Sequence, residues 1–185
     1  MNKNTIEYQK IIADEVMGKL ETFDPTCILA GGAPRDWYFG NLATDLDFFV
    51  YFRPDFTSQI WRYSKLLKTL GFNMKRKGTD LAERIPADYK QNPNLICVYE
   101  QEYKSVKIQV MFMNEKTFTS VIPRFPFGIC QAWYKPGYGI NTSAKFDYSA
   151  KHKLLILLND LYNDADGYVE KIRSKFPDYD YIGRK

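Results

Sequence analysis

The stretch that decides the fold runs from Ala30 to Val50 and reads Ala30-Gly31-Gly32-Ala33-Pro34-Arg35-Asp36-Trp37-Tyr38-Phe39-Gly40-Asn41-Leu42-Ala43-Thr44-Asp45-Leu46-Asp47-Phe48-Phe49-Val50. An apolar run over residues 27–30 leads into the two glycines. Pro34 suits the first turn of a short helix, because its missing N–H would have had no partner there and its φ is already helical. The first half of the stretch therefore predicts a strand, a glycine bend and a helix in that order.

Two aspartates open the second half of the stretch. Asp45, Leu46 and Asp47 begin an apolar run that continues through Phe52. On a strand, residues i and i+2 face the same side, so Asp45 and Asp47 should project together, with Leu46 turned the other way. Two neighbouring carboxylates repel each other unless a cation lies between them. A magnesium pair bound to a nucleoside triphosphate is the usual cation for this geometry.

The glycines and the arginine suit a phosphate group. Gly31 and Gly32 let backbone amides approach an anion closely. The helix start at Pro34 adds the positive end of a helix dipole, and Arg35 adds a planar fork of donors. The sequence therefore predicts a phosphate cradle placed one strand away from a metal site.

This block resembles the head-domain signature of the polymerase-β-like nucleotidyltransferases, in the branch that holds the bacterial-type tRNA CCA-adding enzymes and poly(A) polymerases. That signature reads Gly-Gly-x-Val-Arg-Asp, a few apolar residues, Gly, a short spacer, and Asp-x-Asp on a strand. Every fixed position is filled here at the family spacing, except that Pro34 replaces Val. The resemblance implies an α/β (α+β) fold, with a small mixed β-sheet flanked by helices.

The resemblance also implies an activity and roles for the site residues. The activity is transfer of a nucleoside monophosphate from a nucleoside triphosphate to a hydroxyl acceptor, with an RNA or tRNA 3′ end as the leading acceptor, and release of pyrophosphate. Asp45 and Asp47 would hold two Mg²⁺ ions. Gly31 and Gly32 would present amides to the triphosphate with Arg35 beside them, and Asp36 would either contact the site or brace Arg35.

A third carboxylate is expected on the strand that follows the Asp-x-Asp strand in many members of the superfamily. By order, that strand covers residues 106–112, which include no acid. Gln109 is the candidate for this position, since a glutamine can orient a hydroxyl or a metal-bound water but is a poor base. Glu100 or Glu102 from the neighbouring strand could substitute, and Gln109 could equally be an ordinary polar residue of a half-exposed strand.

A second, weaker likeness covers residues 124–134. The family motif Arg-Arg-Asp-Phe-Thr-Ile-Asn-Ala ends in an apolar pair and Tyr, and Arg124 fills its first position. Arg124 could neutralise a phosphate or could be a surface arginine before a strand. The second Arg, the Asp, the Thr and the Asn of the motif are replaced by Phe125, Pro126, Gly128 and Cys130.

Composition and length predict one soluble globular domain over residues 1–185, with a core at about 25–135 and a helical cap at about 145–177. The net charge of +4 mildly favours a polyanionic partner. No apolar run approaches the ~18 residues of a membrane span, which favours a cytoplasmic protein without membrane contact. Cys27, Cys97 and Cys130 have no zinc spacing and are expected as buried thiols in a reducing compartment.

Periodicity predicts the remaining elements. The predictions are a helix over residues 3–23, a helix over 56–70, a basic turn over 75–78, a loop over 79–93, a hairpin over 95–100 and 105–112, one helical stretch over 146–162 and a shorter helix over 166–176. The sole histidine, His152, is expected to be a solvated helix residue rather than a catalyst.

The acceptor remains open at this point. A protein-modifying nucleotidyltransferase acting on a Ser, Thr or Tyr hydroxyl is one alternative. A nucleotide or RNA binder without catalysis is another, because the third acid is missing and the second motif is eroded. The chain has no Glu-Asp-x-x-Arg of the kind that the neck of the family uses to select a base. A homodimer could recover surface that longer relatives supply.

Overall fold

The computed structural model describes residues 3–51, 60–77, 94–115, 117–158 and 165–183. The helices are α1 (Ile6–Glu21), α2 (Gly32–Tyr38), α3 (Ile60–Thr69), α4 (Ala144–His152) and α5 (Ala165–Lys175). The strands are β1 (Ile28–Ala30), β2 (Leu46–Tyr51), β3 (Lys75–Arg76), β4 (Leu95–Tyr103), β5 (Val106–Met113), β6 (Ala132–Lys135), β7 (Gly139–Thr142), β8 (Leu154–Ile156) and β9 (Asp180–Ile182). The predicted loop over 79–93 and the start of the helix predicted over 56–70 lie outside the described residues.

Seven strands form one mixed sheet in the order β3-β4-β5-β2-β1-β6-β7. The central pair, β2 and β5, is parallel, and each of the other neighbouring pairs is antiparallel. The small mixed sheet flanked by helices that the resemblance implied is confirmed. So is the hairpin of β4 and β5, which join through Lys104 and Ser105.

One face of the sheet is covered by α1 and α3. Alternation along β2 turns Leu46, Phe48 and Val50 to this face, where they pack against apolar residues of the two helices. The predicted helix over 3–23 is confirmed as α1, whose buried stripe includes Val16 and Met17. Each such side chain contributes about 1.5–3 kcal/mol when it is fully buried, so this layer carries much of the stability.

The opposite face is only half covered by apolar residues. Phe49 and Met111 pack there against the 3-10 turns that include Val121 and Ile122. This cover lies over the carboxyl ends of β2 and β5. Asp47 is the second residue of β2 and lies on the same face as Phe49, so the polar half of this sheet face lies at the amino end of β2.

The single helical stretch predicted over 146–162 is wrong from Lys153 to Leu158, and its residues 159–162 lie outside the described part of the chain. Helix α4 ends at His152, and Lys153 has a φ of +52°, which takes the chain out of the helix. Residues 154–156 then form β8, which pairs in parallel with β9. Strand pairing and burial of Leu155 against Phe146 and Phe176 outweigh the helical spacing of the leucines.

Three smaller predictions have clear outcomes. The basic turn expected at 75–78 is instead an edge strand as far as Arg76, because Lys75 pairs with Glu100 of β4. The three cysteines are free and buried, as expected. His152 is exposed at the end of α4 and stacks on Tyr148, with ring centres 4.4 Å apart.

Over the part of the chain that the structure describes, no helix has the length and apolar character needed to cross a bilayer.

Candidate active site

The glycine bend lies beside the acidic pair. Gly31 has a φ of +87°, a backbone conformation that favours glycine. Strand β1 pairs with β2, with Leu29 opposite Phe48, which brings the end of β1 to the start of β2. A Cβ atom at Gly31 would lie 3.8 Å from Oδ2 of Asp47. The two parts of the predicted site therefore meet.

One carboxylate oxygen of Asp47 is buried, and a bound cation would stabilise its negative charge. Its Oδ1 atom has no hydrogen-bond partner among the described residues. Burial and the charge of Asp45 raise the pKa of Asp47 to about 7. A desolvated carboxylate beside a second carboxylate fits a divalent cation.

The protein offers few other metal ligands here. Within the described ranges, no three or more His, Cys, Asp or Glu side chains cluster to hold a metal ion. Two carboxylates with water and phosphate oxygens would nevertheless suit Mg²⁺, which keeps several waters and is bound through one or two carboxylates and substrate phosphates.

A buried glutamine fixes the approach to Asp45. Gln9 of α1 donates from Nε2 to the carbonyl of Ala43 at 2.8 Å and accepts from the Ala43 N–H at 3.0 Å. Its Oε1 also accepts from Nε1 of Trp37 at 2.8 Å. The chain is thereby held two residues before Asp45. Sequence reasoning missed Gln9, since a polar residue within a helix pattern gives no sign of its partner.

Gln109 lies directly beside Asp47. The parallel register of β2 and β5 sets Asp47 opposite Gln109, and the antiparallel register of β4 and β5 sets Gln109 opposite Glu100. These three side chains form a row across one face, with backbones about 4.8 Å apart at each step. Gln109 is 2% exposed, and its Oε1 has no hydrogen-bond partner within the described residues.

Glu100 is the nearer of the two glutamates considered as substitutes. It stands one strand beyond Gln109, whereas Glu102 pairs with Lys107 farther along the hairpin. Oε2 of Glu100 lies 3.6 Å from Nζ of Lys77 and 3.7 Å from Nζ of Lys107. The Glu100 carboxylate is thus shared between two lysines, and Gln109 remains the group next to Asp47.

A basic rim borders the row. The charges of Lys77, Lys171 and Lys107 each lower the pKa of Asp47, against the larger effects of burial and Asp45. Lys77 follows β3 and Lys107 lies on β5, and both approach the Glu100 end of the row. Lys171 belongs to α5. Sequence reasoning missed Lys171, because its helix comes to the site through packing over a long sequence separation.

Arg35 is buried next to the glycine bend. Its Nη2 would lie 3.7 Å from a Cβ atom on Gly32. Its Nε donates to Oδ1 of Asp36 at 2.8 Å, and its Nη1 contacts Sγ of Cys130 at 3.4 Å. The other oxygen of Asp36 accepts from Nζ of Lys175 at 2.6 Å. In this arrangement Asp36 braces Arg35 and ties it to α5.

Arg124 lies away from the acidic pair. It forms an ion pair with Glu115, which follows β5 by two residues. Gln109 lies four residues before Met113, the end of β5, which is about 13 Å at the rise of a strand. The structure therefore brings together Gly31, Gly32, Arg35, Asp36, Asp45, Asp47 and Gln109, but not Arg124.

No protein-family model matches the sequence, and no curated protein matches it. Solved structures do match. The Thermotoga maritima CCA-adding enzyme complexed with tRNA gives a TM-score of 0.61 at 14% identity, over 95% of this chain and 40% of that one. A CCA-adding enzyme complexed with ATP gives 0.62 at 14% identity, over 95% and 40%. A tRNA nucleotidyltransferase complexed with a primer tRNA and an incoming ATP analog gives 0.52 at 14% identity, over 84% and 43%.

The chain spans about 40% of the length of these enzymes, and the low identity makes the likeness one of fold. That likeness covers nearly the whole of this chain. The sheet order places Asp45 and Asp47 beside the glycine bend, as the signature in residues 30–50 implied. The chain has the fold seen in these CCA-adding and tRNA nucleotidyltransferase structures, and the fold that the resemblance implied is thereby confirmed.

Proposed function

We propose that this chain is a metal-dependent nucleotidyltransferase that transfers a nucleoside monophosphate from a nucleoside triphosphate to the 3′ hydroxyl of an RNA, with release of pyrophosphate. One observation carries the proposal. The Gly31 bend approaches Oδ2 of Asp47, while Oδ1 of the same carboxylate is buried without a hydrogen-bond partner among the described residues. This arrangement supports a phosphate site and a cation site that lie side by side.

Asp45 and Asp47 would hold two Mg²⁺ ions through their carboxylate oxygens. When bound, the ions would lower the pKa of the attacking hydroxyl and neutralise charge on the leaving group. The amides of Gly31 and Gly32 would donate to phosphate oxygens. Arg35 lies beside them, with its charge held in place by Asp36.

The reaction forms one bond and breaks one. The acceptor hydroxyl oxygen bonds to the α-phosphorus, and the bond from that phosphorus to the α,β-bridging oxygen breaks, with its electron pair leaving on pyrophosphate. The hydroxyl proton passes to solvent water. Gln109 would orient the hydroxyl through its Oε1, which has no partner among the residues that the structure describes; this oxygen accepts a hydrogen bond but is not basic enough to take the proton.

The charge around the site favours a polyanionic acceptor over a protein hydroxyl. Lys77 and Lys107 lie beside the row, and Lys75 pairs with Glu100 at the sheet edge. Such a rim would attract an RNA backbone by its phosphates. The solved enzymes of similar fold include complexes with tRNA, which supports the same acceptor class.

The test is incorporation of label. The protein is incubated with Mg²⁺, total tRNA and each of the four nucleoside triphosphates labelled at the α-phosphate, and product length is determined on a sequencing gel. Label in RNA is expected, and the Asp45→Asn, Asp47→Asn double variant should abolish it. Full activity in that variant would remove these carboxylates from the mechanism.

Two other outcomes would replace the proposal. Label in protein would identify a protein-modifying transferase. Nucleotide binding without turnover would identify a binding protein, an outcome for which the glutamine at position 109 is the structural reason. Label in protein is detected by running the same reactions on a protein gel. Binding without turnover is detected by a separate equilibrium binding measurement with the triphosphate.

A further inference from the structure

Helix α5 is fastened to the segment that follows the glycine bend. Nζ of Lys175 lies 2.6 Å from Oδ2 of Asp36. The ring of Phe176 lies over the Arg35 guanidinium, 5.8 Å from Cζ to the ring centre. Tyr168, near the start of α5, places its hydroxyl 3.6 Å from Sγ of Cys130. These contacts span the helix from its first turn to its end.

Lys171 lies on the fastened side of α5. It follows Tyr168 by three residues and precedes Lys175 by four, so the three side chains share one face of the helix. Lys171 is exposed and has no ion-pair partner in the described ranges, whereas Lys77 and Lys107 both pair with Glu100. The face that Lys171 shares with Lys175 adjoins Asp36 and Arg35, and Nη2 of Arg35 would lie 3.7 Å from a Cβ atom on Gly32 in the glycine bend.

The proposed substrate needs a cation from this side. A nucleoside triphosphate carries several negative charges in a small volume, and Arg35 already shares its charge with Asp36. Arg124 is paired with Glu115 at the other end of β5. Lys171 is therefore the lysine on this face of α5 that has no ion-pair partner in the described ranges, since Lys175 is paired with Asp36.

We infer that α5 forms a wall of the nucleotide site and that Lys171 binds the β- and γ-phosphates of the bound nucleoside triphosphate. This inference rests on the proposed function. It assigns the C-terminal helix to substrate binding rather than to support of the sheet alone.

The experiment compares triphosphate with monophosphate binding by isothermal titration calorimetry. Ca²⁺ replaces Mg²⁺ so that binding is measured without turnover. The ligands are the nucleoside triphosphate that binds the wild-type protein most tightly and the corresponding nucleoside monophosphate. The variants are Lys171→Ala, Lys171→Arg and the control Arg173→Ala, which removes the same charge from α5 at a position about 200° around the helix.

Lys171→Ala should weaken triphosphate binding about ten- to hundredfold, the range for a lost hydrogen bond to a charged group, and should leave monophosphate binding within about twofold. Lys171→Arg should retain most of the affinity, and Arg173→Ala should match the wild type. Equal thermal unfolding midpoints establish that the variants are folded.

Three results would overturn the inference. Unchanged triphosphate affinity in Lys171→Ala, or an equal loss for both ligands, would show that Lys171 does not bind these phosphates, and the proposed function would stand. A wild-type protein that binds none of the four triphosphates would overturn the proposed function together with this inference.

Discussion

Asp47 has a raised pKa because its carboxylate is buried and faces the charge of Asp45, and these are the conditions that a bound cation relieves. Without metal, the folded state holds the Asp47 proton up to a pH of about 7, whereas the unfolded chain releases it near pH ~4. The folded protein therefore loses stability as the pH rises through this interval, and the loss is complete above it.

Asp47→Asn should accordingly be more stable than the wild type in EDTA at pH 8, by about 1–3 kcal/mol, and the difference should vanish toward pH 4. Added Mg²⁺ should reduce this difference in the free energy of unfolding, because it should stabilise the wild type alone. Urea unfolding at several pH values measures both effects. Asp178→Asn, at an exposed position, serves as the control and should show no gap. A less stable Asp47→Asn at pH 8 would contradict the described environment of this carboxylate.

Gly31 makes a second prediction at the scale of the residue. Gly31→Ala places a β-carbon at positive φ and 3.8 Å from Asp47, so it should cost about 1–2 kcal/mol and reduce triphosphate affinity. Gly137→Ala is the matched control, since Gly137 also has a positive φ but open space around it. The control should lose similar stability and keep its affinity. Equal triphosphate affinities in the two variants would show that the Gly31 bend does not contact the nucleotide.

At the scale of the elements, α5 is joined to α2 by the ion pair of Lys175 with Asp36. Lys175 and Asp36 form a partly buried ion pair, while Lys104 and Glu15 form an exposed one. Lys175→Ala leaves Asp36 with a buried oxygen that has lost a donor and should cost about 1–3 kcal/mol. Lys104→Ala should cost less than about 1 kcal/mol. Chemical unfolding of both variants compares them, and similar losses would show that α5 is not fastened by this pair.

The β4–β5 hairpin turns on two residues that are unusual for their positions. Lys104 and Ser105 have φ values of +51° and +69°, where glycine or asparagine is preferred in a two-residue turn. Ser105→Gly should therefore stabilise the protein by about 0.5–1 kcal/mol, since it removes the strain at positive φ. A lower urea midpoint for this variant would mean that the turn has another conformation.

At the scale of the whole molecule, we expect RNA binding to depend on where the positive charges lie and not only on their number. Lys77→Ala with Lys107→Ala removes two charges beside the row, and Lys65→Ala with Lys68→Ala removes two from α3, on the other side of the sheet. Fluorescence anisotropy with labelled tRNA should show a marked loss and a shallower salt dependence for the first pair only. Equal losses would indicate that net charge alone attracts the RNA.

The strand, bend and helix of residues 30–50 could be predicted from local rules. Gln109 is a candidate only through the position that the family resemblance gives to a third carboxylate, and the register of β2 and β5 then sets it opposite Asp47. The C-terminal region could not. Leu154 to Ile156 have helical spacing, and only their pairing with residues 180–182 turns them into a strand. Lys171 and the link from Arg35 to Lys175 depend on contacts between residues more than 100 positions apart, which no local pattern reveals.

The pairing of β1 with β6 has a consequence for biosynthesis. Leu29 lies opposite Tyr134, so the strand that carries the glycine bend gains its second neighbour only after residues 132–135 have left the ribosome. Lys175 reaches Asp36 later still, across 139 positions of sequence. A nascent chain therefore exposes residues 30–50 long before β1 has its second neighbouring strand and before Asp36 has its lysine partner.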